Sequence, residues 1–200
     1  MKKPKLRELR EAIKALIRGP YTSKFPAEEP YLPETFRGFP KFDPDKCVGC
    51  GACSEVCPPM AITVKDDLER GVRIVKVRYD SCIMCGQCER ACIAEGGIKL
   101  SKIYDASTYD RKEVGDQVEK ELVFCEICGS VITTKEQLLW ISNKLGEKAF
   151  ANPTLFLLFS GMESEEEPSH RFEDLPYRSY FMKILCPSCR RKAHLREEWG

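Results

Sequence analysis

No stretch of the 200 residues stays apolar over the roughly 18 positions that a bilayer-spanning helix needs, so no transmembrane segment is expected. Charge interrupts the Met1 end at nearly every turn, which denies it the apolar core of a secretory signal. Histidine is nearly absent, and His170 and His194 read as surface or packing residues. Net charge is also close to nothing, at +1 from 32 basic and 31 acidic residues, so the distribution of charge matters more than its total. What the chain does have is cysteine, twelve in all. Without a secretory signal the expected compartment is the reducing cytoplasm, where cysteines in such number serve metals rather than disulfides.

Eight of the twelve fall in two runs, Cys47, Cys50, Cys53, Cys57 and Cys82, Cys85, Cys88, Cys92. Both have the spacing C-x2-C-x2-C-x3-C and resemble the iron–sulfur runs of bacterial two-cluster ferredoxins. There, three close thiolates hold one 4Fe-4S cube and the fourth reaches to the other. That resemblance assigns Cys47, Cys50, Cys53 and Cys92 to one cluster, and Cys82, Cys85, Cys88 and Cys57 to the second. Disulfides or two zinc sites would use the same residues, but two matching runs at one spacing favour clusters. Gly49, Gly51 and Gly86 supply the tight turns that such wrapping requires. The second run departs from the pattern at Ile93, where proline usually follows the last cysteine; this bears on the turn and not on ligation.

Ahead of the clusters, Leu6, Leu9, Ile13, Leu16 and Ile17 recur at helical spacing among Lys2, Lys3, Lys5, Arg7, Arg10, Lys14 and Arg18. Gly19 and Pro20 end the pattern. A basic amphipathic helix suits an anionic membrane surface or a membrane subunit, although an ordinary packed surface helix has the same pattern. Residues 20–45 then combine six prolines with Tyr21, Phe25, Tyr31, Phe36, Phe39 and Phe42, and are expected to lie extended over a partner. Between the cysteine runs, Ala61–Lys65 and Val72–Tyr79 flank Asp66–Gly71 as an antiparallel hairpin, with Ile62, Val64, Ile74 and Val77 walling the clusters from water. Tyr79-Asp80 ahead of Cys82 mirrors Phe42-Asp43 ahead of Cys47, a sign of internal duplication.

After Leu100 the chain turns polar with little apolar periodicity, so residues 106–120 read as a linker. Beyond it, Cys125 and Cys128 with Cys186 and Cys189 form two C-x2-C knuckles, the makings of a tetrahedral four-cysteine site. Four thiolates close such a site, so the expected ion is a structural zinc, with a rubredoxin-like iron as the alternative. Residues 129–185 between the knuckles far exceed the usual ribbon loop of about 15 to 20 residues. Within them, Thr134 and Gln137 resemble a capping box for a helix ending at Gly146, Leu155–Phe159 reads as core or interface, and Glu163, Glu165, Glu166 and Glu167 read as a solvated loop.

The expected class is therefore α+β. Residues 1–45 form an amphipathic helix and docking arm, 46–105 a bacterial-type two-cluster ferredoxin domain, 106–120 a linker, and 121–200 a zinc-ribbon-like four-cysteine domain with a helical insertion. Gly19-Pro20-Tyr21-Thr22, Lys24-Phe25-Pro26, Phe36-Arg37-Gly38 and Lys46-Cys47-Val48-Gly49-Cys50-Gly51 resemble the two-cluster ferredoxin-type subunit of energy-converting NiFe hydrogenases. The equivalent subunit of respiratory complex I is similar over about the first 105 residues, and the C-terminal cysteines resemble those of the formate hydrogenlyase group.

The resemblance implies a peripheral electron-transfer subunit on the cytoplasmic face of the membrane, with no catalytic residue of its own. Implied partners are a membrane-arm subunit, the terminal-cluster and catalytic subunits, and a ferredoxin or formate-oxidising module. A subunit of complex I or of a sulfur-reducing complex is the alternative. A zinc-ribbon binding protein with regulatory clusters is the reading from another class. Arg190, Arg191 and Lys192 make only a small basic patch, so nucleic acid is not an expected partner.

Overall fold

Apolar residues three and four apart wind Leu6–Arg18 into α1. The Glu8 carboxylate accepts from the Lys5 amide at 3.0 Å, and Gly19 ends the helix at φ 78°, a left-handed conformation that favours glycine. None of its residues is buried, and the stripe of Leu6, Leu9, Ile13, Leu16 and Ile17 stands exposed. The computed structural model describes residues 5–19, 22, 24–111, 114–161 and 183–199, which divide into two compact units at Phe36 and Arg37. Pro20, Tyr21, His170 and the acidic run at Glu163, Glu165, Glu166 and Glu167 lie outside the described residues.

The second unit begins inside the segment expected to be a docking arm. Gly38 and Phe39 donate to the carbonyls of Ser101 and Ile103 at 3.0 and 2.9 Å. Strand β1 (Pro40–Phe42) pairs antiparallel with β4 (Ile98–Leu100), and Phe39 stacks on Tyr79 with ring centroids 4.6 Å apart. The last aromatics of the arm are thus part of the cluster fold, where Phe42 is buried. Between these two strands lie a one-turn helix α2 (Ala52–Glu55), β2 (Ile62–Asp67), β3 (Val72–Arg78) and a second one-turn helix α3 (Gln87–Arg90).

The expected hairpin is present, with Ile62 opposite Val77 and Asp67 opposite Val72. Asp67 Oδ1 accepts from the amides of Glu69 and Arg70, both at 3.1 Å, which folds the turn, and Gly71 at φ 65° completes it. The buried face of β3 is Val75 and Val77 rather than Ile74 and Val77. Side chains alternate along a strand, so Ile74 necessarily faces the other way and is only half-buried.

Residues 115–120, expected within the linker, are the start of the longest strand among the described residues. Strand β5 (Gly115–Phe124) pairs antiparallel with β3 from Arg78↔Gly115 to Val72↔Glu121, then with β6 (Val131–Thr134). One four-stranded sheet, ordered β2-β3-β5-β6, therefore runs from the cysteine-rich half into the C-terminal half. Its core gathers Phe42, Cys53, Ile62, Val75, Val77, Cys88, Ile98 and Val118.

Helix α4 (Lys135–Leu145) starts at Thr134, whose hydroxyl accepts from the Gln137 amide at 3.3 Å. The Gln137 side chain accepts from the Thr133 hydroxyl instead of closing the box. A 3-10 turn (Gly146–Ala151) leads to α5 (Pro153–Ser160), with Asn152 Oδ1 capping the Thr154 amide at 3.0 Å. Val123, Leu138, Ala149 and Leu155 form the core beneath them. A final helix, α6 (Pro187–Trp199), follows the second knuckle and contains His194.

Candidate metal and cluster centres

The two cysteine runs fold as copies of one local structure. The third cysteine of each rides on a one-turn helix, Cys53 on α2 and Cys88 on α3, and both are buried. Each helix is entered through a left-handed glycine, Gly51 at φ 80° and Gly86 at φ 76°. Two residues beyond each first cysteine stand Gly49 (φ 68°) and Met84 (φ 51°); three beyond each last one stand Met60 (φ 52°) and Glu95 (φ 45°). Side chains at such angles carry strain, and strain gathers where a fold serves a ligand. Its repetition at matched positions carries the duplication from the sequence into the backbone.

The fold brings the cysteines together across the runs. One cavity is lined by Cys47, Cys50, Cys53 and Cys92, with Phe42, Val75 and Ile98. The other is lined by Cys57, Cys82, Cys85 and Cys88, with Ala61 and Ile62. Each thus takes three cysteines from one run and the last cysteine of the other. Burial, reinforced by neighbouring thiols, pushes Cys53 up to about 12 and raises Cys47 and Cys82. Burial likewise pushes Cys88 up to about 11. Left alone these groups stay protonated, and a thiophilic metal centre would displace their protons. Backbone amides already point at sulfur, from Ala61 to Cys57 Sγ at 3.2 Å and from Met84 to Cys82 Sγ at 3.4 Å. Four thiols, an apolar wall and N–H···S donors suit a 4Fe-4S cluster in either cavity.

The surroundings of the two loops differ. Val48 is buried, and its carbonyl accepts from the Thr134 hydroxyl at 2.5 Å. A Cβ on Gly49 would lie 3.0 Å from Thr134 Cγ2 and 3.1 Å from Lys120 Cγ, so β5 and β6 press directly on this loop. The matching residue of the second run, Ile83, is 60% exposed.

The remaining cysteines converge as the sequence suggests. The sulfurs of Cys125, Cys128, Cys186 and Cys189 all lie within 4.8 Å of one another, with Cys128 and Cys186 3.7 Å apart. Tetrahedral thiolate ligation at about 2.3 Å places sulfurs about 3.8 Å apart, so this set fits one zinc or one iron. The first knuckle is the turn of the β5–β6 hairpin, closed by Cys125 N–H donating to Ser130 O at 2.9 Å. The second opens α6, and the Cys189 amide donates to Cys186 Sγ at 3.4 Å.

Burial raises Cys189 to about 12, while the Ser130 hydroxyl and amide lower Cys128 to about 6. Arg190, expected in a surface patch, is half-buried and donates to Thr154 Oγ1 and to the Lys183 carbonyl.

Several residues that bear on the first loop escape sequence reasoning. Lys120, Thr134 and Arg73 all contact it, the last donating to Gly49 O at 3.3 Å. Their signal is indirect, a charged or polar residue at an inward position of a strand, and it is readable only once the strand is known.

Residues 46–95 match the family model of the 4Fe-4S dicluster domain. Formate hydrogenlyase subunit 6 of Escherichia coli (strain K12) is 33% identical over 127 residues, 63% of this chain and 70% of that protein. The chloroplastic NAD(P)H-quinone oxidoreductase subunit I of Psilotum nudum is 31% identical over 136 residues, 65% of this chain and 82% of that protein. Among solved structures, a chain of the membrane-bound sulfane sulfur reductase, an archaeal respiratory membrane complex, is 30% identical with a TM-score of 0.40, covering 57% of this chain and 61% of that one. The chain belongs to the family of two-cluster iron–sulfur subunits that includes formate hydrogenlyase subunit 6 and subunit I of the NAD(P)H-quinone oxidoreductases.

Proposed function

We propose that the chain is an electron-transfer subunit relaying low-potential electrons within a membrane-bound energy-converting NiFe hydrogenase or formate hydrogenlyase complex. The observation that carries this is the pair of apolar four-cysteine cavities set side by side in one core. Cys47, Cys50, Cys53 and Cys92 hold one 4Fe-4S cluster, and Cys82, Cys85, Cys88 and Cys57 the other. Each cluster, when bound, supplies a site for one-electron reduction and reoxidation. The chain's own residues fix the thiols, exclude water with Phe42, Ile62, Val75 and Ile98, and aim amides at sulfur.

Cys125, Cys128, Cys186 and Cys189 hold a structural zinc in a zinc-ribbon-like domain; this pair of knuckles, with the similarity to formate hydrogenlyase subunit 6, favours the hydrogenase reading. The docking arm, the cluster domain at 46–105 completed by β1 and β5, and the four-cysteine domain at 121–200 divide the labour among them. The exposed stripe of α1 supports attachment to a membrane-arm subunit or the cytoplasmic membrane surface, with the terminal-cluster and catalytic subunits as redox neighbours and a ferredoxin or formate-oxidising module as redox partner. No described helix is long and apolar enough to cross a membrane.

A second reading, the equivalent subunit of a complex I-type or sulfur-reducing complex, is favoured by the match to 82% of the Psilotum nudum protein. Anaerobic purification of the tagged chain from its native membranes, with nickel, flavin, iron and zinc measured in the complex, separates the two. Nickel with a hydrogenase large subunit is the expected result. Membrane-arm subunits without nickel select the second reading, and a lone soluble chain refutes both.

A further inference from the structure

Strand β5 turns Asp116, Val118, Lys120 and Leu122 toward the protein interior. Two of them are charged, and Lys120 is the more deeply buried, an ammonium-bearing side chain 8% exposed where the alternation calls for an apolar residue. Burying a cation is unfavourable unless something nearby uses its charge. Its Nζ donates to the Pro44 carbonyl at 2.7 Å, three residues before Cys47, and lies 3.5 Å from Glu136 Oε1 on α4. Its stem packs on Gly49, with Cβ and Cγ 3.2 and 3.1 Å from where a Cβ would sit there.

The cross-strand neighbour of Lys120 is Arg73, which also touches this loop. Asp66 takes up the Arg73 charge through two bonds of 2.7 and 2.9 Å. Among the described residues the carboxylate beside Lys120 is that of Glu136 at the longer 3.5 Å, and Glu136 Oε2 is buried there without a hydrogen-bond partner. Pro44 and Gly49, the two residues Lys120 touches here, stand three before and two after Cys47 and belong to the first run. The buried cation thus stands beside one four-cysteine set.

We infer that Lys120 sets the reduction potential of the cluster held by Cys47, Cys50, Cys53 and Cys92, so that the β5–β6 hairpin, anchored by the four-cysteine centre at its turn, tunes one cluster and not the other. The inference rests on the ligand assignment proposed above. Reduction adds a negative charge to the cluster, and a nearby cation in a poorly screening interior stabilises the reduced form. Glu136, by offsetting part of that charge, holds the potential down.

The test is an anaerobic potentiometric titration of the full chain followed by electron paramagnetic resonance. A wild-type chain that fails to take up about eight iron and eight sulfide overturns the cluster reading and this inference with it. In a loaded chain, Lys120→Met lowers the reduced-to-oxidised ratio of one cluster about tenfold at fixed solution potential, about 59 mV for a one-electron couple. That cluster is the one whose signal Cys47→Ser alters. Lys120→Arg restores the wild-type midpoint, and Glu136→Gln moves the same midpoint in the positive direction. Unmoved midpoints, equal shifts of both clusters, or an arginine variant displaced as far as the methionine variant overturn the inference. Should Lys120→Met not load, Glu136→Gln decides alone, and an unchanged midpoint there is the overturning result.

Discussion

Replacing Thr134 by valine isolates how strongly the C-terminal half holds the first cysteine loop. Thr134 is fully buried, and its hydroxyl has two duties, donating to the Val48 carbonyl at 2.5 Å and capping α4 through the Gln137 amide at 3.3 Å. Valine keeps the shape and removes both bonds. Loss of a cap costs about 1 kcal/mol, and stranding a buried carbonyl about 1–3 kcal/mol. The expected destabilisation is therefore about 2–4 kcal/mol, a large share of the roughly 5–15 kcal/mol of a typical domain. Serine keeps both bonds and loses one methyl group, about 0.8 kcal/mol.

The assay is an anaerobic urea titration of the iron-loaded chain, followed both by visible absorbance of the cluster and by far-ultraviolet circular dichroism. Cluster absorbance should fall at lower urea in Thr134→Val than in wild type, with Thr134→Ser close to wild type. A valine variant within about 0.5 kcal/mol of wild type, or a serine variant as weak as valine, refutes the reasoning. In either case Val48 would draw its stability from packing rather than from Thr134.

Three further outcomes are expected. Cys92→Ser should perturb the same paramagnetic signal as Cys47→Ser, and Cys57→Ser the other; matching effects of Cys57 and Cys47 would defeat the crossed assignment. Gly97→Ala places a Cβ 3.0 Å from Cys47 Cα and 3.3 Å from Cys92 Sγ. It should cost about 1–3 kcal/mol by overpacking and lower iron content through one cluster alone, and full iron loading would contradict this. Deleting residues 1–18 should leave both clusters intact but release the subunit from membranes in a flotation assay; continued flotation would reduce the exposed stripe of α1 to a feature without a docking role.

The cysteine runs, the hairpin between them, α1 and the cap of α4 are legible in the sequence because each is written in local spacing. The two knuckles are equally legible, and their convergence follows from the chemistry of four thiols. Strand β5 is not. Of its four inward positions, Asp116 and Lys120 carry charge, which erases the alternation by which a half-buried strand is recognised. Asp116 faces inward because its carboxylate accepts from the Phe42 amide at 2.7 Å, a partner 74 residues away that no local pattern announces. The fate of Gly38–Phe42 is hidden for a related reason: proline and aromatics describe an extended segment, but its pairing with β4 depends on a strand more than fifty residues later. Alternation explains the remaining difference, the exchange of Ile74 for Val75 in the core, since residues three apart on a strand lie on opposite faces and Ile74 cannot share one with Val77.

The order in which this sheet is completed bears on how the protein is made. A chain leaves the ribosome amino end first. All eight cysteines of the two runs and the β2–β3 hairpin therefore emerge before β5, and Thr134 emerges later still. During that interval the loop from Cys47 to Cys53 lacks the cover that Lys120 and Thr134 later give it. Once β5 and β6 pair and Thr134 reaches Val48, the loop is held by the chain's own later residues. Iron uptake by stalled nascent chains, compared just before and well after Thr134 has emerged, would show whether the first loop is filled early; equal uptake at both lengths would count against a timed closure.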